Sequence, residues 1–123
     1  MQSRRSGEVA YHESLVHPAM FAHPNPRLVA IIGGGEGATL REVLKHKSVE
    51  KAFMIEIDEQ MVRVSREHLP GWSDCSNLVG SAAWCMDDPR ADVRYENALT
   101  WFSDNYANTA SSEKLDVIIM DAL

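Results

Sequence analysis

The stretch Ile31-Ile32-Gly33-Gly34-Gly35-Glu36-Gly37-Ala38 decides the fold, because an apolar strand here runs into a glycine-rich turn that opens a helix. Arg27 to Ile32 has the character of a buried strand, and Thr39 to Lys47 has the apolar spacing of a helix. The glycines fit both G-x-G-x-G and G-x-G-x-x-A, and either pattern alone is a weak indicator of nucleotide binding. The flanking strand and helix favour a ligand-binding turn over the alternative, a tight turn without a ligand.

The acid within this turn, Glu36, narrows the class of ligand. In a dinucleotide-binding loop, the bare backbone and the helix N-terminus receive a pyrophosphate, which a carboxylate would repel. Glu36 therefore indicates a ligand with a positive charge.

Three further strands are predicted, and a polar residue follows each of them. The strands are 51–55, 92–95 and 115–120, and they lead to Glu56, Asn97 and Asp121. Because the ligand of an open parallel sheet lies outside the carboxyl ends of the strands, we expect these three residues and Glu36 to meet at one rim. Glu56 stands where a Rossmann-type unit presents a carboxylate to ribose hydroxyls. Taken singly, Asn97 is typical of a turn or a helix cap, and Asp121 could simply end a strand.

A helix is predicted from about Glu59 to His68, and its charged residues receive no functional role. Asp58 precedes this helix and is interpreted as its N-cap. Arg63 and Arg66 have helical spacing with acidic residues, which predicts a solvent-exposed face.

Five motifs carry a resemblance to a known family. They are Tyr11-His12-Glu13, His23-Pro24-Asn25-Pro26, the Gly33 to Gly37 turn, Leu40-Arg41-Glu42-Val43-Leu44-Lys45-His46 and Glu56-Ile57-Asp58. Together they resemble the polyamine synthases, the aminopropyltransferases that include spermidine, spermine and thermospermine synthases. The likeness runs from Gln2 to Asp121 and is interrupted between Trp72 and Asp88.

The resemblance implies a fold and a reaction. The fold is an α/β, Rossmann-like parallel sheet of the S-adenosylmethionine-methyltransferase type with flanking helices. In the reaction, decarboxylated S-adenosylmethionine is the co-substrate and donates its aminopropyl group to a polyamine, spermidine or putrescine, with release of methylthioadenosine. The family needs no tightly bound cofactor, no metal and no covalent intermediate.

The resemblance also assigns roles to individual residues. Asp121 would be the general base that removes a proton from the attacking amine, and Tyr11 would share the amine site with it. Residue patterns alone would favour Tyr11 packed on the sheet and His12 bonded locally. His17 would lie near the site or bond a buried carbonyl. The donor contacts carried over by the resemblance are Gln2, His12, Gly33, Gly35, Glu36, Gly37, Glu56 and Asn97.

Departures from the commonest family pattern point to a subgroup. Spermidine synthases usually carry aspartate at the position of Glu36 and an Asp-Gly pair at the position of Asn97-Ala98. A glutamate in the loop and a terminal Asp-Ala-Leu are more similar to thermospermine synthases. This similarity favours spermidine as the acceptor amine.

Length sets an expectation about domain organisation. The chain has 123 residues, whereas the family normally has an N-terminal β-rich domain and further strands after the position of Asp121. We therefore expect a fragment, in which residues 1–26 link from a missing β domain and residues 27–123 form a partial Rossmann-like catalytic domain. Such a fragment would have weak activity or none, and its parent enzyme would be a homo-oligomer.

Composition predicts a cytoplasmic α/β domain with 45% hydrophobic and 24% charged residues. No apolar run approaches the roughly 20 residues of a membrane span, and no signal peptide is visible. The net charge of −6 argues against nucleic acid as a partner.

The cysteines and histidines are not expected to form special sites. Cys75 and Cys85 lie in a segment read as a loop, without companion ligands, and an intracellular setting argues against a disulfide. His12, His17 and His23 do not form a helical pair of zinc-binding histidines.

Other function classes remain open at this point. An S-adenosylmethionine-dependent methyltransferase would share the fold, but it must accept the methionine carboxylate beside Glu36. A non-catalytic nucleoside-binding remnant would bind without turnover. A nicotinamide-dependent dehydrogenase is disfavoured, because Glu36 would face a phosphate.

Overall fold

The computed structural model describes residues 5–107 and 114–121. In chain order, its helices and strands are α1 (Arg5–Phe21), β1 (Leu28–Gly33), α2 (Ala38–Leu44), β2 (Lys51–Ile55), α3 (Glu59–His68), β3 (Ala91–Arg94), α4 (Ala98–Tyr106) and β4 (Val117–Asp121). Two 3₁₀ turns, Pro70–Ser73 and Cys85–Asp87, lie between α3 and β3. The predicted strands and the two predicted helices are confirmed to within a few residues. Within the described ranges, no helix is long and apolar enough to span a bilayer.

The four strands form one parallel sheet in the order β3-β2-β1-β4. From β1, the chain first winds outward to β2 and β3 and then returns to β4 on the other side of β1. Adjacent β1 and β4 are therefore the place where the direction of winding reverses, which is the usual ligand-binding crevice of such sheets. Their register pairs Gly33 with Asp121, so the end of β4 lies beside the start of the glycine turn.

The larger core lies on one face of the sheet, under α1, α2 and α3. Side chains alternate along a strand, so Val29 and Ile31 of β1 both point into this core. Leu40 and Val43 of α2 and Val62 of α3 cover them and are almost completely buried. This alternation decides which strand residues face this core and which face the opposite side of the sheet.

The opposite face is covered by α4 through Trp101, which packs on Ala30 and Ile55. Farther along this face, Ile118 is 53% exposed and Met120 67% exposed. They stand opposite Ala30 and Ile32 of β1 in the register. Over the described part of the chain, the β4 end of this face thus remains exposed apolar surface.

Helix α1 was not identified from the sequence. Its buried residues recur every four positions, as Glu8, His12, Val16 and Met20, so half of its buried stripe is polar or charged. An apolar periodicity search therefore misses it, and Pro18 within the helix adds a further signal against helix. The stripe packs α1 against α2 and the sheet. The role of residues 1–26 as a link to another domain stays a prediction.

The expectation of no disulfide was wrong, because Cys75 and Cys85 are bonded to each other. The segment between the two 3₁₀ turns doubles back on itself, with an antiparallel bridge between Asp74 and Trp84 that brings the cysteines together. Both cysteines are fully buried in the main core. This local reversal of the chain, and not the cellular compartment, decides the pairing.

Candidate active site

A cavity of about 790 Å³ opens at the carboxyl ends of the strands, within the usual size range of small-molecule sites. Every strand end or its following loop contributes to the wall. The predicted site residues among the lining are Gly33, Glu36, Glu56, Asn97 and Asp121. The structure therefore brings together the four polar residues that were expected to meet there, while their roles in binding and catalysis stay predictions.

The glycine turn shapes the cavity in two ways. Gly33 and Gly34 line the wall, whereas Gly35 and Gly37 lie outside the lining and allow neighbouring groups to come close. Gly37 is the N-cap of α2 with φ of 87°, and a Cβ there would lie 2.5 Å from the Cβ of Ser73. At Gly35, a Cβ would lie 2.8 Å from Oε1 of Glu56. The absence of side chains thus allows the 3₁₀ turn and the Glu56 carboxylate to approach the turn closely.

The two acids on the β1 and β2 sides differ in how they are held. Glu36 is half-buried and, among the described residues, makes no hydrogen bond or ion pair. The backbone N–H of Asp58 donates to Oε2 of Glu56 over 3.1 Å. Asp58 in turn accepts from the N–H of Met61 over 3.2 Å, so its prediction as an N-cap is confirmed. Glu56 is thus oriented by the backbone, whereas Glu36 is available for a ligand.

The charge of the wall has one sign. Its acidic side chains are Glu36, Glu56, Glu96 and Asp121, and the described lining contains no lysine or arginine. His68 is the basic residue of this wall. In a partly enclosed site, such an arrangement favours cationic ligands and opposes anionic ones.

Asp121 is held by a residue that the sequence analysis did not single out. The hydroxyl of Thr39 donates to Oδ2 of Asp121 over 2.6 Å. Thr39 is fully buried in the first turn of α2. This hydrogen bond holds one oxygen of the carboxylate. Thr39 lies 82 residues from Asp121, so no local pattern could reveal the bond.

Asn97 is both a cavity residue and a helix cap. Its Oδ1 accepts the N–H groups of Leu99 over 2.8 Å and of Thr100 over 3.4 Å at the start of α4. The amide oxygen that was expected to contact adenine is therefore already used by the helix. Both sequence interpretations of Asn97, the cap and the position at the rim, match its observed place.

The residues predicted from the first motif do not reach the described cavity wall. Tyr11 packs edge-on against His12, and His12 is buried with Nδ1 bonded to the carbonyl oxygen of Glu8 over 2.7 Å. Trp72, which does line the cavity, lies against His12 with a ring distance of 5.6 Å. His12 thus supports the wall from behind. Gln2 lies outside the described residues.

An apolar part of the wall was missed. Met61 and Val64 of α3 are about half exposed, and Ile57 and Leu99 are 70% and 80% exposed. All four line the cavity, together with Phe102. The signal was present in the sequence, because Met61 and Val64 are apolar residues on a helix that was otherwise read as charged and solvent-exposed. Arg63 does form the expected surface pair with Glu59, over 3.1 Å.

Comparison with protein families finds one match over nearly the whole chain. The model described as "Spermine/spermidine synthase domain" matches residues 8–123. Polyamine aminopropyltransferase 1 of Hyperthermus butylicus is 51% identical over 121 residues, which is 98% of this chain and 37% of the relative. Polyamine aminopropyltransferase of Aeropyrum pernix is 52% identical over 120 residues, with coverage of 98% and 34%.

Solved structures give the same picture. Spermidine synthase from Thermotoga maritima superposes with a TM-score of 0.76 at 43% identity, over 94% of this chain and 35% of that one. A spermidine synthase in complex with the transition-state analogue AdoDATO gives a TM-score of 0.77 at 42% identity, over 94% and 34%. The predicted methyltransferase-type Rossmann-like fold is confirmed. The chain spans about a third of the length of the relatives and structures that it matches.

Proposed function

Because the chain belongs to the spermine/spermidine synthase family, we propose that it carries the donor side of an aminopropyltransferase site. The co-substrate is decarboxylated S-adenosylmethionine, whose aminopropyl group passes to a polyamine amine with release of methylthioadenosine. The observation that carries the proposal is the joint placement of Glu36, Glu56, Asn97 and Asp121 on one acidic cavity at the strand ends.

Glu36 selects the donor in this proposal. Decarboxylated S-adenosylmethionine ends in an ammonium group without the neighbouring carboxylate of S-adenosylmethionine. Glu36 is available to pair with that ammonium, and the wall offers no lysine or arginine among the described residues to receive a carboxylate. S-adenosylmethionine would place like charges together, which costs several kcal/mol in such a site. The same like-charge contact would disfavour the donor of a methyltransferase, which weighs against that alternative.

The rest of the donor fits the remaining wall. Glu56 stands at the end of β2 with its Oε2 held by the backbone, so its other oxygen can accept from ribose hydroxyls. The exposed apolar side chains of Ile57 and Leu99 provide surfaces for the flat adenine ring. Because the amide oxygen of Asn97 caps α4, we propose that Asn97 contributes to adenine binding mainly by positioning this helix.

Asp121 is the proposed general base. The attacking amine must lose a proton before its nitrogen can displace the thioether from the carbon next to the sulfonium. Thr39 holds Oδ2 of Asp121, which leaves Oδ1 to accept that proton. A positioned carboxylate of this kind contributes about 10²- to 10⁴-fold, and alignment of nitrogen, carbon and sulfur supplies more.

The finer assignments stay proposals of the same kind. Spermidine is the favoured acceptor, by likeness of the Glu36 loop to thermospermine synthases, with putrescine as the alternative. The parent enzyme is proposed to be cytoplasmic and homo-oligomeric, without nucleic acid or membrane as a partner.

Calorimetric titration of the purified chain tests the proposal. We expect decarboxylated S-adenosylmethionine to bind at least about tenfold more tightly than S-adenosylmethionine, since a tenfold ratio requires only about 1.4 kcal/mol of discrimination. Glu36→Gln should remove this preference. Glu67→Gln, the same change at an exposed residue of α3 outside the cavity lining, should leave it intact.

Two results would overturn the proposal. Preference for S-adenosylmethionine would move the chain to the methyltransferase class. A folded chain that binds neither compound would show that these residues do not form a donor site by themselves.

A further inference from the structure

The packing of α1 on α2 builds a second polar cluster, away from the cavity. Glu13 and His17 are four residues apart on α1, and Glu42 and His46 are four residues apart across the end of α2. The side-chain ligand atoms of Glu13, His17 and Glu42 all lie within 4.8 Å of one another. From these contacts we propose that the cluster, named here the α1–α2 cluster, binds one divalent transition-metal ion of the zinc class.

The spacing of the ligand atoms suits such an ion. Zinc lies about 2.1 Å from nitrogen and oxygen ligands in tetrahedral geometry, which separates two ligand atoms by about 3.4 Å. Nε2 of His17 and Oε1 of Glu42 are 3.0 Å apart, so an ion would need to widen this gap by only a few tenths of an ångström. Glu13 is exposed and can turn toward the ion as the third ligand, while water completes the coordination.

His46 would support the site as a neighbour of a ligand. Its Nε2 lies 2.8 Å from Nδ1 of His17. A histidine that binds metal through one nitrogen usually holds a polar partner with the other, which fixes the orientation of its ring. In the bound state, His17 would be the neutral tautomer that carries its single ring proton on Nδ1 and donates it to Nε2 of His46. A proton that sat on Nε2 of neutral His17 would move to Nδ1 by exchange with solvent, so metal binding changes the tautomer without a net loss of a proton from the ring.

The charges around Glu42 allow a metal ion to replace the ammonium group of Lys45. Arg41 donates to Oε2 of Glu42 over 2.8 Å and can stay in place. The ammonium of Lys45 lies 2.9 Å from both Glu42 oxygens, but its side chain is 40% exposed and can withdraw into water. Replacing this single positive charge with a divalent ion adds one charge. Glu13, which has no ion pair within the described residues, offsets it.

Local sequence patterns could not reveal this arrangement, since the expectation concerned only whether His12, His17 and His23 form a zinc-binding pair of histidines on one helix. The cluster instead combines a Glu-x-x-x-His spacing from each of two segments, and only the packing of α1 on α2 shows that they face each other.

Titration of the metal-free chain with Zn²⁺, with Co²⁺ as a spectroscopic probe, tests the inference. We expect one ion per chain and the visible absorption of tetrahedral Co²⁺. Glu13→Gln and His17→Gln should each weaken binding by at least about tenfold. Since Glu13 is exposed, Glu13→Gln should leave the metal-free protein as stable as before. A loss of binding in that variant therefore reports a ligand and not misfolding.

Removing the Lys45 ammonium, which competes with a metal ion for Glu42, distinguishes a metal site from a purely structural network of ion pairs. Lys45→Met should tighten Zn²⁺ binding several-fold, because the ammonium no longer competes for Glu42. His23→Gln removes a histidine outside the cluster and should change nothing. Absence of stoichiometric binding in the wild type, or binding that Glu13→Gln and His17→Gln leave unchanged, would overturn the inference.

Discussion

The Thr39 hydroxyl donates to Oδ2 of Asp121 over 2.6 Å and thereby joins the first turn of α2 to the last residue of β4. Strand pairing brings Asp121 beside Gly33, but the register alone leaves the carboxylate free to rotate about its side-chain bonds. The hydrogen bond removes that freedom. A buried residue outside the cavity lining thus determines which oxygen of Asp121 faces the cavity.

Substituting Thr39 tests this bond by its contribution to stability. Thr39→Val keeps the shape but leaves an oxygen of Asp121 without its donor, so we expect the free energy of unfolding to fall by about 1–2 kcal/mol. Thr39→Ser restores the hydroxyl and should recover most of the loss. Urea denaturation followed by circular dichroism measures both. Thr100→Val, at an exposed threonine of α4, is the control and should cost less than about 0.5 kcal/mol. A Thr39→Val chain as stable as the wild type would contradict the assignment.

A Cβ at Gly35 should disturb the donor site through Glu56. It would stand 2.8 Å from both Oε1 of Glu56 and Cγ of Met61, so one of these cavity side chains must move. We expect Gly35→Ala to weaken methylthioadenosine binding by about tenfold or more, equivalent to roughly 1.4 kcal/mol. Gly71→Ala is the matched control, because no atom lies within 4 Å of its added Cβ. Calorimetry compares the two, and equal affinities would argue against a role for Gly35 in placing Glu56.

Much of the site could be predicted because parallel strands impose a common edge. Once β1, β2 and β4 were recognised from their apolar runs, the residues at their carboxyl ends had to lie near one another. Glu36, Glu56 and Asp121 follow from that geometry alone. Period-two and period-3.6 patterns are local properties, so they can be read from one chain.

What the sequence could not supply are bonds between distant residues. The buried Glu8 of α1 is paired with Arg41 of α2, and the buried His12 bonds to the carbonyl oxygen of Glu8. No periodicity search credits a charged residue with a core position. The disulfide between Cys75 and Cys85 likewise depends on a tight reversal of the chain. Both cases require the tertiary arrangement to be known first.

Asp116 predicts a dependence of stability on pH. Its Oδ2 accepts the N–H groups of Leu28 over 3.0 Å and of Arg27 over 2.7 Å. These bonds hold the pKa of Asp116 below its ordinary value of 3.8. Because the folded state favours the ionised form, the contribution to stability is complete above pH 3.8 and is lost as the pH falls through the folded-state value.

We therefore expect the free energy of unfolding of the wild type to decline as the pH falls below about 4. Asp116→Asn retains an amide oxygen as acceptor but cannot titrate, so its curve should start lower and decline less steeply. Asp104→Asn makes the same change at an exposed position of α4 and should follow the wild-type slope. Urea denaturation at several pH values measures the slopes, and identical slopes for Asp116→Asn and the wild type would refute the assignment.

Arg41 should be among the residues whose loss destabilises the fold most. Its guanidinium contacts Glu8, lies 2.8 Å from Oε2 of Glu42 and donates to the carbonyl of Trp72 over 3.0 Å. Burial alone would lower the pKa of Arg41, but the bonds to the two acids outweigh it, and the pKa lies above its ordinary value. The charge therefore persists throughout the range in which the protein can be studied.

Arg41→Met should lower the free energy of unfolding by about 3–5 kcal/mol, because it leaves Glu8 and Glu42 buried without their shared partner. Adding Glu8→Gln removes one of the stranded charges and should recover part of that loss. Arg63→Met breaks the exposed pair with Glu59, whose side chains are 74% and 50% exposed. It should cost less than about 1 kcal/mol. Thermal and urea denaturation of the wild type, the two single variants and the double variant measure these losses. Similar losses of stability for Arg41→Met and Arg63→Met would contradict the prediction, because they would show that the buried ion pairs of Arg41 contribute no more than an exposed pair.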